Sequence, residues 1–350
     1  LAALIAGANG DTDQERSLLE EAADLDPANS AVQAALGERY LGDGDVRAAR
    51  TAFEASLQSD PANIVAVMGL GSVLLQQDAP EQAEDILTRA TELDPDYAFA
   101  WADRSRARIA QGNLGGAEAD LTAAIERDPD YVFHYLDRGL VRTQRRRFAD
   151  AEADFSTFLE ERPEIFIAWV YRARVRDAMD RPMDAISDFE QALSLRPDYH
   201  PAYLPLGAAY LVTGRFADAA NYFRMARQNT PVNARDGSTV LLEALAWKRA
   251  GEEARAQGVI RDNYTEFDRR SIFWQMARYY ELPSNPGLLF QDVQAIEDPV
   301  TRARAQFYLG AQQMLLNLPQ TGTTLLQAAA DPVALGTVEQ RIARGWVDEL

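Results

Sequence analysis

Apolar and small residues return along this chain with a period of 34 residues, and the columns they form predict pairs of antiparallel helices. Prolines punctuate the pattern: Pro27, Pro61, Pro95, Pro129, Pro163, Pro197 and Pro231 keep the same spacing throughout. Each stands in a short motif (DPANS, DPANI, DPDYA, DPDYV, RPEIF, RPDYH, TPVNA), where proline stops one helix and the polar residue after it can cap the next. With proline set as repeat position 32, position 20 reads Ala49, Ala83, Ala117, Ala151, Ala185 and Ala219. Alanine there lets two helix axes approach to about 8–10 Å. Position 24 is large and apolar (Phe53, Leu87, Leu121, Phe155, Phe189, Phe223), and position 4 offers Trp101, Tyr135, Trp169 and Tyr203. Both columns are expected in the core. Gly44, Gly112 and Gly214 at position 15 mark where the first helix ends and the chain reverses through a left-handed residue.

Six full repeats span 30–233, and residues 1–29 fit the tail of an earlier repeat, with Leu1 at about position 6. The chain lacks an initiator Met, so upstream sequence, a leader or lipid-anchor signal included, is expected ahead of Leu1. After Pro231 the phase slips by three residues, and Gly251, Ala256 and Ile260 define a phase-shifted repeat over 234–270. Residues 271–350 read as degenerate repeat-like helices, ending in a closing helix from Gly336, as the uncovered end of a repeat stack requires. The Trp, Leu-Gly, Tyr, Ala, Phe, Ala and Pro positions, read best in LGERY (36–40) and LGAAY (206–210), resemble the tetratricopeptide repeat family. The resemblance implies an all-α fold: a right-handed superhelical solenoid of antiparallel helix pairs with a degenerate helical C-terminal region.

Position 7, an apolar core site in that family, is arginine in three consecutive repeats: Arg104, Arg138 and Arg172. Position 23 is then Asp120, Asp154 and Asp188, whereas repeats with Leu36, Leu70 or Leu206 carry Ala52, Ile86 or Tyr222. Arginine and aspartate appear and disappear together, which predicts structural ion pairs between the two helices of a repeat, because an uncompensated buried guanidinium costs several kcal/mol. Arg108, Arg142 and Arg176 at position 11 have no such evident partner.

The resemblance also implies a concave groove lined by the first helix of each repeat. Its positions here are Val65, Met68, Phe99, Arg106, Phe133, Leu136, Leu140, Ile167, Val170, Arg174 and Leu204. Such an apolar stripe with two isolated arginines is expected to accept a peptide or helix of another protein, with the chain's own termini as the alternative occupant. The Lys and Asn with which co-chaperone members clamp a terminal carboxylate are absent from positions 5 and 9. The run Arg145, Arg146, Arg147 lies at an inter-helix turn and reads as a solvated patch or an attraction for an acidic partner.

Composition narrows the chemistry. The net charge of −19 disfavours nucleic acid and anionic membrane surfaces. Among 35 basic residues only Lys248 is lysine, so the positive charge is almost all guanidinium, suited to bidentate pairing. There is no cysteine, and the two histidines, His134 and His200, sit at different repeat positions, which leaves no metal site, cofactor or catalytic residues to propose. No apolar run approaches the roughly 20 residues of a membrane helix. The expectation is a non-catalytic scaffold for protein partners. Residues 240–350, with FWQMARYY (273–280) and FYLG (307–310), are further similar to periplasmic outer-membrane lipoprotein adaptors that present peptidoglycan hydrolases to processing proteases, commonly as homodimers. That similarity implies a bacterial cell-envelope complex, periplasmic or outer-membrane-anchored over cytoplasmic. The alternatives are a scaffold of a polysaccharide-export or outer-membrane assembly machine, and a cytosolic regulator.

Overall fold

The computed structural model describes residues 2–231, 234–283, 286–331 and 336–347, which form helices and turns with no strand among the described residues. The chain divides into two compact units, 1–162 and 163–350. Unit 1 holds α1 (Ala2–Ala8), α2 (Thr12–Leu25), α3 (Ser30–Gly42), α4 (Val46–Ser59), α5 (Ile64–Gln76), α6 (Pro80–Leu93), α7 (Ala98–Ala110), α8 (Leu114–Arg127), α9 (Phe133–Gln144) and α10 (Phe148–Glu161). Odd-numbered helices are the first, and even-numbered the second, of each hairpin, and neighbouring hairpins pack along the unit.

The alanines of position 20 and the large residues of position 24 are wholly buried in every repeat. Their complementarity is tight: a Cβ added at Gly139 of α9 would come within 2.6 Å of the Phe155 ring of α10. Gly10, Gly44 and Gly112 turn through positive φ, and so do Asp78 (φ 56°) and Arg146 (φ 60°) at the equivalent position. The hairpin therefore dictates a left-handed residue there even where no glycine is supplied.

The inter-repeat turns differ from the sequence expectation in one respect. Asn29 and Asn63 of the DPAN motifs do cap, accepting from the amides of Val32 and Ala66 at 3.1 Å. In the DPDY and RPEI motifs the residue before the helix, Tyr97, Val132 or Ile165, offers no side-chain cap. The aromatic residue of position 4 reaches back instead: Trp101 Nε1 donates to the Pro95 carbonyl at 3.0 Å. This role holds Trp101 at the edge of the core, half-buried, with the Arg104 and Arg127 guanidinium groups over its ring at 4.8 and 4.4 Å. Tyr135 is likewise half-buried, so in this unit position 4 stands at the edge of the core.

Unit 2 begins with the same hairpins: α11 (Phe166–Ala178), α12 (Pro182–Leu195), α13 (Tyr203–Val212) and α14 (Phe216–Asn229). Trp169 and Tyr203 donate to the Pro163 and Pro197 carbonyls at 2.8 and 2.7 Å, and of the two only Tyr203 is fully buried. Next come α15 (Ser238–Arg249), entered through Gly237 at φ 82°, and α16 (Glu253–Asp262). The rest is α17 (Ile272–Glu281), α18 (Gly287–Gln294), the long α19 (Pro299–Leu315), α20 (Pro319–Ala330) and α21 (Val338–Val347). One core runs through this unit from Val170 to Trp346. Helix α21 packs against α13, α19 and α20, so the closing helix folds back on an early hairpin of its own unit. The expected bounds of that helix, Gly336 to Leu350, include residues 348–350, which lie outside the described residues.

Candidate functional site

Two sets of side chains carry the candidate chemistry, the arginine–aspartate columns and the inner face of the first helices. In unit 1, Arg104 donates from Nε and Nη2 to Asp120 at 2.9 and 2.7 Å, and Arg138 does the same to Asp154 at 3.1 and 2.8 Å. In unit 2, Arg172 grips Asp188 with two bonds of 2.9 Å. The three aspartates are at most 2% exposed. Spare donor capacity is taken up by threonines of the preceding hairpin, Thr91 for Arg104 (3.1 Å) and Thr122 for Arg138 (3.2 Å).

The arginines of position 11 join these pairs, which the sequence alone did not reveal. Arg108 lies 2.9 Å from Asp120, Arg142 2.7 Å from Asp154 and Arg176 2.9 Å from Asp188, so each aspartate serves two guanidinium groups. Arg108 and Arg142 also reach back to Glu84 (2.8 Å) and Glu118 (2.9 Å), which tie each hairpin to the one before. The signal in the sequence is the glutamate at position 21 of the preceding repeat, Glu84 or Glu118. Burial pushes the Glu118 carboxyl up, but Arg142, Arg147 and Arg145 together hold it below the usual carboxylate range. The Arg145–Arg147 run is thereby engaged: Arg145 and Arg147 both bond Glu118, and Arg146 is the left-handed turn residue. The run is thus more than a solvated patch, and all three residues remain exposed.

Positions 2, 5 and 9 share one face of each first helix because they are three and four residues apart. In unit 1 that face carries Val65 (40% exposed), with Met68, Phe99, Phe133, Leu136 and Leu140 half-buried. Phe133 packs edge-on against Phe158 at 5.3 Å. Arg106 is exposed but not isolated, since its Nη1 donates to Asp103 at 2.7 Å. In unit 2, Ile167 and Leu204 are half-buried and Arg174 is exposed. Val170 is a correction: it is wholly buried, in one core cluster with Phe189 and Leu206, and lines no surface.

The inner side of unit 2 is partly covered by the chain itself. Helix α21 lies so close to the end of α13 that a Cβ added at Gly345 would meet Val212 Cγ1 at 2.7 Å. Arg341 bonds Asp177 at the end of α11, and Arg344 Nε donates to Asp180 in the following turn at 3.0 Å. Burial drives the Asp177 carboxyl up to about 6, against the opposing pull of Arg341 and Arg344. On its other side α21 presents Glu339, which accepts from Arg304 Nε and from the buried Tyr308 hydroxyl, both at 2.9 Å.

Such faces offer apolar contact and a few fixed charges, which is binding chemistry. No helix among the described residues is long and apolar enough to cross a membrane. A family model described as tetratricopeptide repeat matches residues 40–107, and a second of the same description matches 102–164, 136–178 and 172–234. Among solved structures, a tetratricopeptide repeat protein from Parabacteroides merdae is 16% identical and superposes with a TM-score of 0.50, covering 72% of this chain and 98% of its own. YrrB, described as a TPR protein with an unusual peptide-binding site, is 14% identical over 53% of this chain and 95% of its own, with a TM-score of 0.47. A thermophilic TPR protein of Thermus thermophilus is 23% identical over 52% of this chain and 99% of its own, with a TM-score of 0.41. At these identities the likeness is one of fold alone. No curated protein matches.

Proposed function

Since the chain belongs to the tetratricopeptide repeat family, whose models together match residues 40–234, we propose that it is a non-catalytic scaffold that holds a partner polypeptide on the inner face of unit 1. The observation that carries this reading is the run of large apolar side chains on α5, α7 and α9, from Val65 through Phe99 and Phe133 to Leu140, left partly exposed on one helix face. Contiguous exposed apolar surface of this kind marks binding sites, and a helix or extended segment fits it through regularly spaced anchors. The inner side of unit 2 is the weaker candidate, because α21 already occupies the end of α13.

The setting we propose is a bacterial cell-envelope complex, a reading supported by the resemblance of residues 240–350 to outer-membrane lipoprotein adaptors. Capture of partners from the native organism's envelope and cytosolic fractions, with wild type and with Phe133→Glu plus Leu140→Glu, tests both parts. Two glutamates on that face are expected to abolish capture of the envelope partner while helicity is retained. Undiminished capture by the double variant removes the groove assignment, and capture confined to cytosolic proteins removes the envelope setting.

A further inference from the structure

The inner face of α7 and α9 carries more than apolar area, and its chemistry points to a class of partner. Tyr97 and Tyr131, each just ahead of the first helix of its repeat, are 40% and 38% exposed. Phe99 lies between them, with ring centroids 5.7 and 4.9 Å away, and the His134 ring is tilted against Tyr131 at 4.7 Å. On the same two helices stand Asp103 and Asp137, at the same repeat position and half-buried. Burial raises both carboxyls above their usual range, with Arg106 opposing the rise in each case and Asp137 adding to it at Asp103. Asp103 in turn helps burial to raise the Tyr97 hydroxyl.

The arginines of these two helices do not balance these carboxylates. Arg104 and Arg108 of α7 are engaged by Asp120, and Arg138 and Arg142 of α9 by Asp154. Arg106 is the remaining arginine of the two helices, and it bonds Asp103. Among the described residues Asp137 forms no ion pair. His134 does not supply the missing charge, because burial pushes its pKa down. Elsewhere the chain shows how it holds a helix when both sides are present: α21 is fastened to unit 2 by Arg341 and Arg344 on Asp177 and Asp180.

Resting on the groove reading above, we propose that the face built from Tyr97, Phe99, Tyr131, Asp103 and Asp137 takes a partner segment in which arginine or lysine alternates with apolar residues. The cation sits on Asp137, and the apolar residues sit on the aromatic cluster of Phe99, Tyr131 and Phe133. Carboxylates beside aromatic faces suit a guanidinium or ammonium group on both counts.

The test is fluorescence anisotropy of the full chain with three labelled peptides of alternating leucine and a second residue: arginine, its neutral isostere citrulline, or glutamate. The arginine peptide is expected to bind about tenfold more tightly than the citrulline peptide, and Asp137→Asn to remove that difference. Glu92→Gln, the same charge change at an exposed site on α6, is expected to leave it intact. Equal binding of the arginine and citrulline peptides, equal weakening by Asp137→Asn and Glu92→Gln, or no binding of the arginine peptide overturns the inference. If the citrulline peptide binds as well as arginine but is lost with Phe133→Glu plus Leu140→Glu, the groove stands and its charge preference falls. Binding that ignores the double variant overturns both.

Discussion

Asp154→Ile is expected to destabilise the protein by about 3–5 kcal/mol, because the change leaves the largely buried Arg138 guanidinium without its counter-charge and takes one of two carboxylates from Arg142. Asp154 accepts from Arg138 at 3.1 and 2.8 Å and from Arg142 at 2.7 Å. Arg138→Leu is expected to cost less, about 1–3 kcal/mol, because Arg142 stays on Asp154 and the aspartate is not left bare. The chain supplies its own apolar replacement in Leu70 and Ile86, the pair at the same two positions two repeats earlier. Arg138→Leu with Asp154→Ile copies that pair and leaves Arg142 on Glu118 at 2.9 Å. Its loss is therefore expected to fall short of the summed single losses by about 0.5–3 kcal/mol. Urea unfolding of the four proteins measures this directly, and additive losses would show that the two side chains do not stabilise one another.

The second large effect concerns the closing helix. Glu339→Leu removes the acceptor of Arg304 Nε and of the Tyr308 hydroxyl, and leaves Arg304 with Asp236 at 3.0 Å as its remaining partner. Because the Tyr308 hydroxyl keeps the Ser238 carbonyl at 3.1 Å and Arg304 keeps Asp236, the loss is expected to be about 1–3 kcal/mol, with accelerated hydrogen exchange over 338–347 as the local sign. The other fastening of α21 carries a pH dependence whose sign follows from Asp177. Its folded pKa, about 6, lies above the ordinary 3.8. The stability it contributes is thus fully present below pH 3.8 and is lost as pH rises through about 6. Relative to Asp177→Asn, which does not titrate, the wild type should gain unfolding free energy as pH falls from 7 to 4. A constant difference would mean that Asp177 is not held by burial against α11 and α21.

What the sequence discloses and what it hides divide along physical lines. The 34-residue period, the alanine column ending at Ala219 and the large column ending at Phe223 are legible because each hairpin meets the same steric demand, and identical demands leave identical residues. The joint appearance of arginine at position 7 and aspartate at position 23 is visible for the same reason. That Asp120 and Asp154 each hold a second arginine is not, since Arg108 and Arg142 complete their bonding with glutamates of another repeat. Family positions place Val170 in a groove because they treat all repeats as alike. Val170 instead joins the core cluster of its own unit, which no local pattern announces. The same holds for α21, whose contacts with Asp177 and Asp180 span 164 residues of sequence. Likewise the proline motifs offer a polar residue to cap the next helix, yet Trp101 and Trp169 close those turns from within that helix.

The account stands or falls on where a partner lies. Hydrogen–deuterium exchange of the full chain, with and without its captured partner, reads this at the level of single helices. Slowed exchange over 98–110 and 133–144, with 114–127 and 148–161 unchanged, is the predicted result. Protection confined to the second helices α8 and α10, or to unit 2, would contradict it.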